Sequence, residues 1–140
     1  MIISKVMLTA HQVQSDFITM LKGSELASAV NGGIYRNGYR PRDSRNEDII
    51  VTFVNGIPRQ IEEGAVTVSI YVPDIVEDDG TYVEDGRRTA ELEAVADAWV
   101  SSLNASHSRY KISLMRSIST VRDEAIHQHI VAVQMEYVYK

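Results

Sequence analysis

The stretch Val66-Thr67-Val68-Ser69-Ile70-Tyr71-Val72 alternates between β-branched apolar residues and residues with a hydroxyl group. Successive side chains of a β-strand point to opposite faces, so this period of two predicts a strand whose valine and isoleucine face packs on a core. Residues 48–54 are rich in β-branched side chains and indicate a second, buried strand. Residues 127–139 repeat the alternation and place on one face His129, Val131, Val133, Met135, Tyr137 and Tyr139.

Two other segments carry apolar residues at steps of three and four, the spacing that lines one face of an α-helix. The first covers residues 3–21, and Gly23 is a suitable stop because glycine accepts the left-handed conformation at a helix end. The second follows residue 86. Its apolar stripe consists of Leu92, Val95, Ala96, Trp99, Val100 and Leu103.

The order of these elements predicts an α+β fold: helix, three strands, helix, two strands. Residues 34–36 read as a short edge strand, 110–121 as one strand, and 121–125 as the connection of the closing hairpin. Short connections favour an antiparallel or mixed sheet of four to five strands with both helices on one face. The length of 140 residues predicts a single domain, residues 1–140.

Composition argues against several classes of protein. The chain has no cysteine, which removes disulfides, thiolate metal sites and cysteine nucleophiles. It shows no apolar run near the ~20 residues of a membrane-spanning helix, no secretory signal, and no phosphate-binding glycine loop or serine elbow. The net charge of −5 does not suit a protein that coats nucleic acid. We therefore expect no enzymatic activity, no cofactor and no membrane partner.

A basic cluster with interleaved tyrosines follows residue 34. Arginine and tyrosine can bind phosphates and stack bases, and both are enriched at protein interfaces. Asp43, Glu47 and Asp48 dilute the positive charge. A nucleic-acid contact, a protein contact and a solvated loop are all open, and we expect the protein contact. The cluster consists of Tyr35, Arg36, Tyr39, Arg40, Arg42 and Arg45.

Residues 74–86 form a long acidic connection. Its carboxylates lack the spacing of a helix-flanked calcium loop, so weak divalent binding is the alternative to a solvated segment. Connections of this length are usually functional or mobile, and we expect a mobile loop that becomes ordered against a neighbouring subunit or partner. The acidic residues expected at that contact are Asp78, Asp79, Glu84 and Asp85.

Two histidines near the last strand suggest a metal site. His127 and His129 are two apart, so on a strand they share a face, and Glu124 would add a carboxylate of the type that divalent metals accept. We prefer the interpretation that they are ordinary histidines near a turn. Asn31-Gly32-Gly33 similarly reads as a helix-to-strand turn rather than a phosphate cradle.

The element order and two soft motifs resemble a known family. A helix runs into Leu26-Ala27-Ser28-Ala29-Val30-Asn31-Gly32-Gly33-Ile34-Tyr35, and an arginine-proline loop and a strand pair follow. Then come Ala90-Glu91-Leu92-Glu93-Ala94-Val95-Ala96-Asp97-Ala98 and a closing strand pair. This pattern resembles the tail-terminator and related head–tail completion proteins of long-tailed bacteriophages and prophages, over most of the chain.

The resemblance implies a structural role in the virion tail or neck, with assembly in the host cytoplasm. Proteins of this family form rings, commonly hexameric, that cap the tail tube and give the head a docking surface. The implied partners are further copies of the chain, a tail tube protein and a head-side connector, while DNA passes the lumen without specific binding. The alternatives are another small neck, connector or tail adaptor protein, or, less favoured, a metal-dependent enzyme using His127 and His129.

Overall fold

The computed structural model describes residues 8–57, 62–105 and 108–140. The elements in these residues are α1 (Ala10–Leu21), α2 (Glu25–Ala29), β1 (Ile34–Arg36), β2 (Ile49–Ile57), β3 (Glu62–Pro73), β4 (Ile75–Val76), β5 (Tyr82–Val83), α3 (Gly86–Leu103), β6 (Tyr110–Leu114), β7 (Ser119–Asp123) and β8 (Gln128–Tyr139), with a 3-10 turn at Glu124–Ile126. The part of the first predicted helix in residues 1–7 lies outside them. None of the helices described is both long enough and apolar enough to cross a membrane.

The first two helices are separated by a glycine. The Thr9 hydroxyl caps α1 by accepting from the Gln12 amide at 3.2 Å, and Ser24 caps α2 in the same way. Gly23 lies between them with φ of +76°, the left-handed conformation predicted for the helix stop. Because a second cap follows at once, the chain forms another short helix, and the described residues contain three α-helices instead of the predicted two.

The main sheet is mixed. Its order is β1-β2-β3-β8-β6, with β7 also paired to β8, and β1–β2 is its parallel pair. The longest pairing joins β3 to β8 over twelve residues each, from Glu62 opposite Tyr139 to Pro73 opposite Gln128. The α+β class and the mixed sheet are confirmed. The sheet has six strands where four to five were predicted. The element order differs because α2 follows α1, β4 and β5 form a separate hairpin, and β6 and β7 replace one predicted strand.

The hydrophobic core lies between one face of the sheet and the helices. The alternation in β3 and β8 is confirmed, because Val68 and Val133 are fully buried whereas Thr67 and Gln134 are only half-buried. Phe17 of α1 and Leu92 of α3 are fully buried in the same cluster.

The opposite face of the sheet, the open face, has no helix packed on it within the described residues. Small or polar side chains occupy much of its centre, next to two larger apolar residues: Ile50, which lies opposite Ser69 and is 5% exposed, and Ile130. The small or polar residues are Thr52, Thr67, Ser69, Ala132 and Gln134. The sheet therefore has one buried face and one that is still accessible.

The predicted strand over 110–121 is two strands. Leu114 pairs with Met135 and Ser119 with Ala132, so the four residues 115–118 lie opposite only two residues of β8. The two extra residues interrupt the pairing with β8, so that β6 and β7 are separate strands. The predicted connection 121–125 is displaced for a related reason, since β7 continues to Asp123 and the turn occupies residues 124–127.

Candidate functional site

Both charged segments singled out in the sequence reach the same end of the main sheet, called the loop end. There β2 and β8 begin and β3 and β7 end. Residues 37–48, the arginine loop, lead into β2, and residues 74–85, the acidic hairpin, leave β3 and lead into α3. The register of the strands therefore brings together segments that are far apart in sequence.

Asp48 anchors the arginine loop from inside. Its side chain is 1% exposed, and Oδ2 accepts from Arg40 Nε at 2.8 Å and from the Ser44 hydroxyl at 2.6 Å. Oδ1 accepts from the Gly33 amide at 3.0 Å. Asn31-Gly32-Gly33 is thus the predicted turn, and it docks on a buried carboxylate through its backbone.

The remaining contacts of Arg40 hold the loop against the open face. Its guanidinium carbon lies 4.0 Å from the centre of the Tyr71 ring, and Nη2 donates to Gln128 Oε1 at 2.9 Å. Both partners lie on the open face, because Ile70 and His129 point to the other side. Arg40 therefore binds within its own chain, unlike the outward-facing arginine expected from the cluster.

The ionisation of Asp48 makes stability depend on pH. Burial raises the pKa of Asp48, but hydrogen bonds from Arg40, Ser44 and Gly33 together lower it below the usual aspartate value. A carboxyl group with a lowered pKa in the folded state stabilises the fold above its unfolded pKa, and this contribution is lost as the pH falls through the folded pKa.

We predict that the free energy of unfolding falls on acidification below the usual aspartate range, and that Asp48→Asn flattens this dependence while lowering stability at neutral pH. Denaturant unfolding at a series of pH values measures both effects. An Asp48→Asn protein with the full acid dependence of the parent would contradict the assignment.

The neighbouring carboxylate, Glu47, is bound by α3. Its oxygens accept from Arg88 Nε at 2.6 Å and Nη2 at 2.8 Å, and Arg88 also donates to the backbone oxygen of Ala29 and to Glu91. The Glu47 hydrogen bonds raise the pKa of Arg88, against the opposing effect of burial. Glu47 and Asp48 are therefore both paired with arginines inside the chain, whereas Asp43 is exposed and still dilutes the positive charge of the loop, as the sequence suggested.

The other members of the basic cluster differ in exposure. Arg42 is exposed, and Tyr39 is 65% exposed. Arg45 is exposed and donates to the backbone oxygens of Ile126 at 2.9 Å and His127 at 3.3 Å. The other two members are less exposed, and the Arg36 guanidinium carbon lies 5.0 Å from the centre of the Tyr39 ring. Arg36 donates to His11 Nδ1 at 3.0 Å and is half-buried like Tyr35, whose ring lies against Gly33.

The acidic segment folds back on itself as the β4–β5 hairpin. At its tip Asp78 is exposed, and the Asp79 carboxylate accepts from the Thr81 amide at 2.9 Å. Hydrogen bonds from Thr81 lower the pKa of Asp79. The expected mobility of this segment stays a prediction.

The base of the hairpin is tied to β8 and α3. His129 Nδ1 lies 2.6 Å from Asp74 Oδ1, and Nε2 lies 3.4 Å from Glu84 Oε1. Glu84 also accepts from the Thr89 hydroxyl at 2.8 Å, and Asp85 caps α3. Glu84 and Asp85 therefore lie at the base, whereas Asp78 and Asp79 lie at the tip.

The histidine pair does not have the geometry that the metal hypothesis required. His127 precedes β8 in a left-handed conformation with φ of +53°, and its ring stacks on Tyr82 at 3.8 Å between centroids. The prediction that it shares a strand face with His129 is wrong, because β8 begins one residue later. The third group of the metal hypothesis, Glu124, is instead paired with an arginine: its Oε1 lies 3.5 Å from Arg122 Nη2. In residues 8–57, 62–105 and 108–140 no group of three histidine or acidic side chains is placed to hold a metal ion.

The two charged segments are anchored on opposite faces of the sheet and approach each other at His127, whose backbone oxygen accepts from the Asp74 amide at 3.1 Å and from Arg45 Nη1 at 3.3 Å. Arg40 fixes the arginine loop over the open face, whereas Asp74, Glu84 and His129 fix the acidic hairpin on the face that carries the helices. This arrangement places the exposed Arg42 and Arg45 on one side of the loop end and the exposed Glu77 and Asp78 on the other. Each side also carries one exposed residue of opposite charge, Asp43 in the loop and Arg87 at the start of α3.

Neither models of known protein families nor curated protein sequences match this chain.

Proposed function

We propose that this protein is a structural ring protein of a long-tailed phage or prophage, a tail terminator or head–tail joining protein that caps the tail tube and docks the head. The family resemblance of the sequence suggests the role and a hexameric ring. The observation that carries the proposal is the placement of oppositely charged segments on opposite faces of the sheet, at the same end.

This placement suits head-to-tail association. When the arginine loop of one copy contacts the acidic hairpin of the next, the hairpin of the first copy and the loop of the second stay free. These free segments can make the same contact with further copies. Such heterologous contacts produce a closed ring when the rotation between copies closes. Because both segments lie at the loop end, neighbouring copies can make the contact with little shift relative to each other along the strand direction. A small shift favours a closed ring over an open helical filament.

The charges available for this contact are exposed and therefore individually weak. Arg42 and Arg45 are exposed on the loop, and Glu77 and Asp78 are exposed on the hairpin. Arg45 also donates to the backbone oxygens of Ile126 and His127 within its own chain. Exposed ion pairs are worth about 0–1 kcal/mol each and are screened by salt. A ring repeats the same contact at every interface, so we expect assembly to weaken as salt is raised. The negative net charge also suits a lumen that DNA passes without being held.

A charge-exchange experiment tests this contact. One variant carries Arg42→Glu with Arg45→Glu, and the other carries Glu77→Lys with Asp78→Lys. We expect each variant alone to lose the ring, because its own loop and hairpin then carry like charges. An equal mixture should assemble again, since each loop now meets a hairpin of opposite charge. Native mass spectrometry at low salt measures the assemblies.

The matched control is Lys22→Glu with Lys140→Glu, which changes the net charge as the arginine variant does but alters exposed residues outside both segments. It should assemble like the parent, and all variants should melt within a few degrees of it. Two results would contradict the proposal: a parent chain that stays monomeric alone and in assembled tails, or an arginine variant that forms intact rings but loses retention on a DNA column. The second result would indicate a nucleic-acid contact instead.

A further inference from the structure

The open face combines small side chains at its centre with exposed apolar side chains at its margin. Its centre presents the small, half-buried side chains of Thr67, Ser69 and Ala132. Met115 and Val121 at its margin are 48% and 49% exposed. At the end opposite the loop end, the face dips into a groove of about 430 Å³ whose lining includes Lys111, Ser113, Met115 and Glu136.

The helix-bearing face carries exposed apolar residues as well. Ile75 and Val76 of the acidic hairpin are 46% and 56% exposed. Beyond the hairpin, the outward side of α3 presents Ala94 and Ala98 next to Asp97, and all three are exposed. Glu91 and Asp97 give this side negative charge, and Arg87, which is 92% exposed, adds a positive charge where α3 begins.

We propose that the open face binds the helix-bearing face of a second copy of this chain, with α3 of that copy lying across the sheet. This rests on the proposed function and specifies which surfaces meet in the ring. Charge complementarity selects this occupant, because the arginine loop borders the open face and the acidic hairpin borders the helices. Burial of the exposed apolar residues of both faces then stabilises the contact.

The course of α3 agrees with this pairing. The helix begins at Gly86, beside the acidic hairpin, and its eighteen residues extend about 27 Å toward the opposite end of the sheet. When the hairpin of one copy meets the arginine loop of the next, α3 therefore covers the centre of the open face and ends toward the groove. The same contact that pairs the charges also covers the sheet.

Crosslinking tests the pairing, because the chain has no cysteine of its own. Ser69→Cys places a thiol at the centre of the open face, and Ala94→Cys places one on the outward side of α3. Within one chain the sheet lies between these two positions, so a short bis-maleimide can join them only between copies. The experiment compares the two single variants with the double variant, each checked for parental melting temperature.

We expect the double variant to give a ladder of covalent oligomers up to the ring size, and each single variant to stay monomeric on a denaturing gel. Dimers from Ser69→Cys alone would show that two open faces meet, and dimers from Ala94→Cys alone would show that two helices meet. Either result overturns the pairing. Rings in native mass spectrometry without any crosslink would also overturn it and leave the proposed function standing, whereas a monomer at every concentration would overturn both.

Discussion

Arg40→Ala is expected to lower the free energy of unfolding by about 3–5 kcal/mol, because it leaves a buried carboxylate without its charged partner. The Asp48 side chain is 1% exposed and lies 2.8 Å from Arg40 Nε. The substitution also removes the contact with the Tyr71 ring and the hydrogen bond to Gln128. Denaturant unfolding of the purified protein measures the loss.

Arg42→Ala is the matched control. It removes the same type of side chain from a position that lies two residues further along the loop and is exposed. Its effect on the free energy of unfolding should stay within about 0.5 kcal/mol. A comparable loss in both variants would contradict the distinction drawn between an internal and an outward-facing arginine. In the double variant Arg40→Ala with Asp48→Ala, part of the loss should be recovered, because no unpaired charge is left inside.

Gly32→Ala should destabilise the fold by about 3 kcal/mol through overpacking. An added Cβ would overlap Asp48 Oδ1 and lie 2.6 Å from the backbone oxygen of Glu47. The backbone oxygen cannot swing away as a flexible side chain would, because it accepts from the Gly32 amide at 3.2 Å. The turn must therefore shift and weaken the hydrogen bonds that converge on Asp48.

Gly86→Ala serves as the comparison for this glycine. Its Cβ would meet only Glu84 Oε2 at an ordinary 3.6 Å, and alanine suits the start of α3. We expect it to leave the melting temperature unchanged or slightly raised. If Gly32→Ala behaved like Gly86→Ala, close packing of the turn on residues 47 and 48 would not matter for stability.

Some residues could not be assigned a role from sequence because their partners are distant. The sequence pattern does not single out Arg88. A cation in the first turn of a helix is unfavourable in the field of the helix dipole, which is a reason to look for an acidic partner. That partner, Glu47, is 41 positions away. The sequence pattern groups Arg40 with Arg42 and Arg45, because all three lie in one short basic stretch. Its hydrogen bond to Gln128 spans 88 positions, a distance over which local patterns carry no information.

By itself the sequence determined the local structure of this protein. Three features could be predicted from the sequence: the period of two in β3 and β8, the apolar stripe of α3 and the helix stop at Gly23. Backbone geometry alone sets which side chains share a face and where glycine is favoured. Only the tertiary structure decided which charges are exposed. The register of β2, β3, β7 and β8 brings both charged segments to one end, buries Glu47 and Asp48 against arginines, and places the outward-facing arginines and carboxylates on opposite faces. Such pairings depend on which distant strands are neighbours, and that is settled by burial of the whole core.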